Sequence, residues 1–251
     1  MSFESITIFG GVDKDGKDES IRELTIGRGE IYSVIGFTGS GKSRLIRDIE
    51  QLAQGDTVTK RRILTDGKIP EYKYRRAPEF KIVAHLTQNM NYITDLKCGE
   101  FLRLRAECRK IPAAAKNAER IIMTANGLCG EPISDETPLT ALSGGQSRAL
   151  MIADTAINAD APIILIDEIE NAGIDKKAAM ETLVGNEKIV LVVTHDPLLA
   201  LSGKRRIVMR NGGMAGLLGT TERERDVFDR LRELNAYSLE IQRRLRAGET
   251  L

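Results

Sequence analysis

Tryptophan is absent and aromatic residues make up only 4% of this 251-residue chain. A core of ordinary size must therefore be built from Ile, Leu, Val and Ala rather than from stacked rings. No sign of charge dominates, with 37 Lys and Arg against 36 Asp and Glu. That balance gives no electrostatic footprint for nucleic acid or for an anionic membrane surface. Cys98, Cys108 and Cys129 are scattered, with no CxxC pair. They provide neither a disulfide framework nor a zinc site, and fit ordinary thiols in a reducing compartment. No apolar run approaches the ~18 residues that cross a bilayer. The opening MSFESITIF has no basic stretch leading into a long apolar one, so no signal peptide is read there. The expectation is a cytoplasmic chain, free or held peripherally on the inner face of a membrane.

What is present is an alternation of short apolar strands with helical stretches. Ile6–Phe9 and Ile21–Ile26 read as strands around the turn-rich GGVDKDGKDES. Ile31–Ile35, Ile163–Ile166 and Ile189–Val193 are continuous apolar runs, the pattern of strands buried on both faces, and Ile82–Leu86 is another strand candidate. Asp66-Gly67 and Asn211-Gly212 are hairpin signals. Helices are expected over Lys42–Leu52, over KCGEFLRLRAECRK, from Pro112 to about Gly127 with the proline in the first turn, and over a shortened segment at Lys176–Val184. Residues 221–247 form one amphipathic helix, with Val227, Leu231, Leu234, Ser238, Ile241 and Leu245 at alternating steps of four and three. That seam packs on its own domain or meets a partner. The expected fold is α/β: a doubly wound, mostly parallel sheet with an antiparallel β subdomain and an inserted helical subdomain. The expected division is an α/β domain over 1–220, its helical part at about 95–142, and a C-terminal helix over 221–251.

Gly36-Phe-Thr-Gly-Ser-Gly-Lys42-Ser43 fits G-x-x-x-x-G-K-[ST] between a buried strand and a helix. Gly36, Thr38, Gly39, Ser40 and Gly41 would present backbone N–H groups to a phosphate. The helix N-terminus adds positive potential. Lys42 would reach the β- and γ-phosphates of a nucleoside triphosphate, and Ser43 would ligate Mg²⁺. The strand Ile163–Ile166 runs into Asp167 and Glu168. Asp167 would hold the Mg²⁺, and Glu168 would polarise the attacking water as general base. Leu142-Ser143-Gly144-Gly145-Gln146 opens another helix and so makes a second anion-binding N-terminus.

With LSGGQ added to the other two motifs, the chain resembles the ATP-binding cassette (ABC) superfamily over most of residues 1–215. The resemblance implies an ATPase with ATP and Mg²⁺ as its ligands. It also implies that Ser143, Gly144, Gly145 and Gln146 of one cassette close over the γ-phosphate held by another, so that a second cassette, a homodimer in the simpler case, is a partner. It further implies that Gln88 is a Mg²⁺ ligand that reports nucleotide state, that His195 contacts the γ-phosphate and orients Glu168, and that Asp175 crosses the dimer interface. Phe9 is a candidate for the ring that stacks on adenine, with a core position as the alternative. His85 reads as structural.

Departures from the family pattern follow Glu168. The run Asp167-Glu-Ile-Glu-Asn-Ala-Gly-Ile-Asp175 lacks a Pro-Thr pair and carries one extra residue, which puts the role of Asp175 in question. Two readings of the biological role stand. One is the ATP-binding subunit of a transporter whose permease is a separate polypeptide, docked near Asn89–Asp95. The other is a soluble ATPase that remodels or activates a partner such as a metalloenzyme. A role on DNA is disfavoured by the absence of a basic stripe and of a long coiled-coil insertion.

Overall fold

A computed structural model of the chain describes residues 3–77, 80–87, 92–158, 161–167, 176–184 and 188–251. Gln88, Glu168 and Asp175 lie outside the described residues.

The central sheet has six strands in the order β5-β6-β7-β3-β8-β9: β3 (Ile31–Ile35), β5 (Val83–Leu86), β6 (Ile163–Asp167), β7 (Ile189–Val193), β8 (Arg205–Arg210) and β9 (Gly213–Gly219). All neighbours pair in parallel except β8 and β9, which form a hairpin through Asn211 and Gly212. The continuous apolar runs have the cause expected of them. Along β6, Ile164 and Ile166 enter one core with the helices α3 (Cys98–Cys108), α4 (Ala114–Leu128), α5 (Gly144–Asn158) and α6 (Lys176–Val184), while Ile163 and Leu165 enter the other. Both faces are covered, so neither can carry polar residues.

The second core joins the sheet to α1 (Lys42–Glu50) and to a three-stranded antiparallel sheet, β2-β1-β4. Its strands are β1 (Ser5–Phe9), β2 (Glu23–Gly27) and β4 (Arg62–Thr65). The fold is the expected α/β architecture. Short helices α2 (Tyr72–Arg76) and α7 (Pro197–Ser202) lie in connections, and α8 (Glu222–Arg246) leaves β9 as the C-terminal helix. A capping box starts α8: Glu224 N–H donates to Thr221 Oγ1 at 3.3 Å, and Thr221 N–H to Glu224 Oε2 at 2.9 Å. Along its heptad seam, Leu231 and Ile241 are half-buried, whereas Val227, Leu234 and Leu245 are exposed.

Three local expectations are corrected. Asp66-Gly67 makes a left-handed turn (φ 49° and 70°) closed by one bridge, Thr65 to Lys68, but no hairpin strand follows. Pro70 cannot donate to a ladder there, and β4 pairs with β1 instead. The strand expected from Ile21 begins at Glu23. The helix expected to open at Pro112 opens at Ala114, because Lys110 and Ala113 both take left-handed backbone (φ 56° and 57°) and leave Pro112 in the connection.

Candidate functional site

Pairing register brings three of the motif segments to one edge of the sheet. Val34 on β3 lies opposite Val193 on β7, which lies opposite Asp167 on β6. The loop at Gly36, the turn at His195 and the carboxylate of Asp167 thus leave the carboxyl ends of three adjacent strands. They fall within two inter-strand spacings, roughly 10 Å. Doubly wound sheets bind phosphates at such an edge.

The loop 36–43 has the backbone an anion cradle needs. Gly36, Gly39 and Gly41 all have positive φ (151°, 77° and 103°). A Cβ on Gly36 would stand 2.5 Å from the carbonyl of Met209, and one on Gly41 would stand 2.7 Å from Gly212 Cα. Only glycine fits at either position. Lys42 folds its ammonium back across the loop, donating to Gly36 O at 2.8 Å and Phe37 O at 3.2 Å. Ser40 Oγ is buried with no partner among the described residues. An ammonium held among the described residues by two carbonyls, a hydroxyl left without a partner among them and a glycine-lined turn at a helix N-terminus fit a polyphosphate. Thr38 and Ser43 are exposed on the same loop, and the Phe37 ring is 91% exposed beside them.

His195 is presented by a fixed turn. Asp196 caps α7 by accepting from Leu198 N–H at 2.8 Å and Leu199 N–H at 3.2 Å, and Asp196 N–H donates to Thr194 Oγ1 at 2.9 Å. With Pro197 in the first turn, this leaves the His195 side chain exposed at the end of β7.

The LSGGQ segment forms a capping box of its own. Gln146 N–H donates to Ser143 Oγ at 3.3 Å, and Ser143 N–H to Gln146 Oε1 at 2.9 Å. Gln146 is thus occupied in setting the turn, and Gly144 and Gly145 lead the helix. A Cβ on Gly144 would meet nothing within 4 Å. Among the described residues nothing requires glycine there, unlike at Gly36 and Gly41. The space is open for the approach of another body.

Phe9 ends β1 on the face opposite Ile6 and Ile8, and Arg62 lies over its ring at 5.4 Å. His85 links β5 to the phosphate-loop helix: its Nδ1 is 3.0 Å from Glu50 Oε2, and Lys81 Nζ donates to Glu50 Oε1 at 2.8 Å. The His85 bond is the foremost cause that holds the Glu50 carboxyl down to about 2, with the Lys81 contact adding to it.

Several residues escape sequence reasoning. Arg61, Asp48 and Glu19 form a buried ionic cluster behind the loop. Arg61 reaches Asp48 Oδ2 at 2.8 Å and Glu19 Oε1 at 2.5 Å, and donates to Gly212 O at 2.8 Å. Thr59 Oγ1 adds a bond to Asp48 Oδ2 at 2.7 Å. Tyr92, four residues past Gln88, packs edge-on against Phe101 of α3 at 5.1 Å, and burial pushes its phenol well above the usual tyrosine range. Its neighbour Ile93 is 98% exposed. Tyr92 is therefore pinned to the helical layer by its ring while the next side chain faces outward.

Residues 21–171 match the family described as ABC transporter. An uncharacterised ABC transporter ATP-binding protein of Methanocaldococcus jannaschii is 52% identical over 251 residues, which is all of this chain and 96% of that one. The bacitracin export ATP-binding protein of Halalkalibacterium halodurans is 29% identical over 216 residues, 82% of this chain and 83% of that one. Among solved structures, CbiO1 of Clostridium perfringens, part of an ABC transporter complex, superposes with a TM-score of 0.67 at 19% identity, covering 96% of this chain and 97% of that one. A dimeric bacterial ABC transporter cassette gives 0.64 at 25% identity, covering 85% and 98%.

Proposed function

Because the chain belongs to the ABC transporter ATP-binding family, and is thereby an ATPase, we propose that it is the ATP-binding subunit of a membrane transporter that works as a homodimer with Mg-ATP at the interface. The observation that carries the dimer is the open space over Gly144. The chain has two helix N-termini suited to anions, at Gly41 and at Ser143, and one is free of any constraint from its own packing. In a head-to-tail pair, Ser143, Gly144, Gly145 and Gln146 of one copy close over the phosphate held by residues 36–43 of the other.

In each site Lys42 neutralises the β- and γ-phosphates, and Thr38, Gly39, Ser40 and Gly41 line the cradle. Ser43, Asp167 and Gln88 are the ligands for Mg²⁺, which would screen the phosphate charge. Glu168 takes the proton of the attacking water, and His195 orients it. Asp175 is assigned to the interface, and Phe9, under Arg62, is the candidate for the adenine platform. The domain division at 220/221 separates this machinery from α8.

The permease reading is supported by the transport roles that the relatives' names carry and by the exposed Ile93 beside the anchored Tyr92. Among the described residues no helix is long and apolar enough to cross a membrane. The exposed positions of the α8 seam favour a further protein contact, and the soluble-activator reading rests on them.

The test is affinity purification of Glu168→Gln from its own cells with Mg-ATP and mild detergent. The expected companion is a polytopic membrane protein. Recovery of a soluble enzyme alone would replace the transporter reading with the activator one. Lys42→Ala is expected to weaken ATP binding by about 1.5–3 kcal/mol, the value of a charge-assisted contact.

A further inference from the structure

Two hairpin tips, far apart in sequence, are laced together on the outside of the phosphate loop. One is the turn 13–17, folded around Asp13. Asp13 Oδ1 accepts from the N–H groups of Asp15 and Lys17, each at 2.9 Å, and Gly16 N–H donates to Asp13 O at 3.1 Å. The other is the β8–β9 turn. Lys14 N–H donates to Asn211 O at 2.9 Å, and the Asn211 amide donates to Asp15 Oδ2 at 2.9 Å and Asp13 Oδ2 at 3.3 Å.

Both tips touch the loop. Gly212 N–H donates to Ser40 O at 2.8 Å, and Lys14 Nζ donates to Gly39 O at 2.7 Å. The two carboxylates nearest Lys14 in sequence are thus engaged by Asn211 and by backbone N–H groups. The ammonium is delivered to the loop instead of being neutralised within its own turn.

We propose that Lys14 is a nucleotide-binding residue, whose ammonium contacts the anionic phosphate chain of the nucleotide held by residues 36–43. A lysine ammonium has three donors, and a carbonyl uses one of them. Its backbone is fixed by the turn, so its flexible stem alone needs to move when several negative charges enter the cradle next door. The contact is electrostatic and made to phosphate, so it does not depend on the base. It does not require Mg²⁺, because the ammonium meets the phosphate oxygens directly. The proposal rests on the reading of residues 36–43 as the phosphate loop, and the controls separate the two.

The experiment is calorimetric titration of the full-length protein with ATP, ADP and GTP in EDTA, for the parent, Lys14→Met, Lys14→Arg and Lys42→Ala, with the unfolding midpoint of each measured without nucleotide. Lys14→Met keeps the stem and loses the charge. Its dissociation constants are expected to rise about tenfold for all three nucleotides, equivalent to about 1.4 kcal/mol, with the nucleotide-free midpoint unmoved. Lys14→Arg is expected to stay within about threefold of the parent, because the charge is kept. Parent-like affinity in Lys14→Met, with Lys42→Ala weakened, overturns the role of Lys14 and leaves the loop in place. A fall in the nucleotide-free midpoint that accounts for the lost affinity also overturns it, since Lys14 would then be a brace for Gly39. Parent-like affinity in Lys42→Ala overturns the reading of the loop itself.

Discussion

Arg61 donates to the carbonyl of Gly212, 151 residues further along the chain, at 2.8 Å, and Gly212 is the residue that a Cβ on Gly41 would strike. A fully buried guanidinium thereby sets the position of the turn on which the phosphate loop rests. The same guanidinium holds Asp48, on the helix that the loop opens, and Glu19, beyond the 13–17 turn. The base of the proposed nucleotide site is an ionic junction that ties the connection before β2 and the residue before β4 to α1 and the β8–β9 hairpin.

Arg61→Met is expected to destabilise the fold by about 3–5 kcal/mol, because it strands two buried carboxylates without their cation. Denaturant unfolding measures this directly. A loss below about 1 kcal/mol would mean that the carboxylates are neutral or hydrated in the folded protein, and that the junction does not depend on charge. Arg61→Lys should recover only part of the loss, since a point-like ammonium cannot span Asp48, Glu19 and Gly212 at once.

The Glu50–His85–Lys81 contact gives a pH dependence of defined sign. The folded carboxyl is held at about 2, below its ordinary 4.5, so its pairing stabilises the fold fully above pH 4.5. That stabilisation fades as pH falls through 2. The melting temperature of Glu50→Gln should therefore lie below the parent's at pH 7 and converge on it between pH 4.5 and pH 2. A gap that stays constant over that range would show that Glu50 contributes by packing rather than by charge. The effect is modest, since the group is partly open to solvent.

Tyr92 separates two contributions of one side chain. Among the described residues its buried hydroxyl has no hydrogen-bond partner, while its ring packs on Phe101. Tyr92→Phe removes only the hydroxyl and is expected to leave stability unchanged or raise it by about 1 kcal/mol, because an unsatisfied buried polar group is costly. Tyr92→Ala is expected to cost about 3–5 kcal/mol as a cavity in the helical layer. Chemical unfolding of the pair checks both, and a large loss in Tyr92→Phe would reveal a partner for the hydroxyl.

Much of the fold was legible where residue type alone encodes geometry. Glycines with positive φ, a lysine at the helix start and apolar runs buried on both faces announce the glycine turn before α1 and the three strands beside it without any long-range contact. The same holds for the C-terminal helix, expected over 221–247 and found at Glu222–Arg246, whose periodicity is local. Arg61 and Lys14 were illegible for the opposite reason. Nothing near Arg61 marks one basic residue of Lys60-Arg61-Arg62 as buried, since its partners are Glu19, Asp48 and Gly212. Lys14 sits in a charged turn that reads as solvated until Asn211 takes up its acidic neighbours. Asp66-Gly67 misled because a turn signal fixes the turn and not the partner strand, which here is β1.

Gly144 distinguishes an intrachain helix start from an interface. In isolation, Gly144→Asp should do no harm: a Cβ there meets nothing within 4 Å, and the position is the first of α5. Negative charge at a helix N-terminus is favourable by about 0.3–1 kcal/mol. The monomer should therefore unfold at the same midpoint as the parent or slightly above it. In the head-to-tail dimer the same carboxylate would face the γ-phosphate bound by the other copy, and the interaction becomes repulsive. In a Glu168→Gln background, Gly144→Asp should bind ATP as a monomer with parent-like affinity yet fail to elute as a dimer from a sizing column run in Mg-ATP. In the parent background it should abolish turnover. If Gly144→Asp still dimerised and hydrolysed ATP at the parent rate, Gly144 would not meet nucleotide across an interface, and the open space above it would have to be explained by some other visitor.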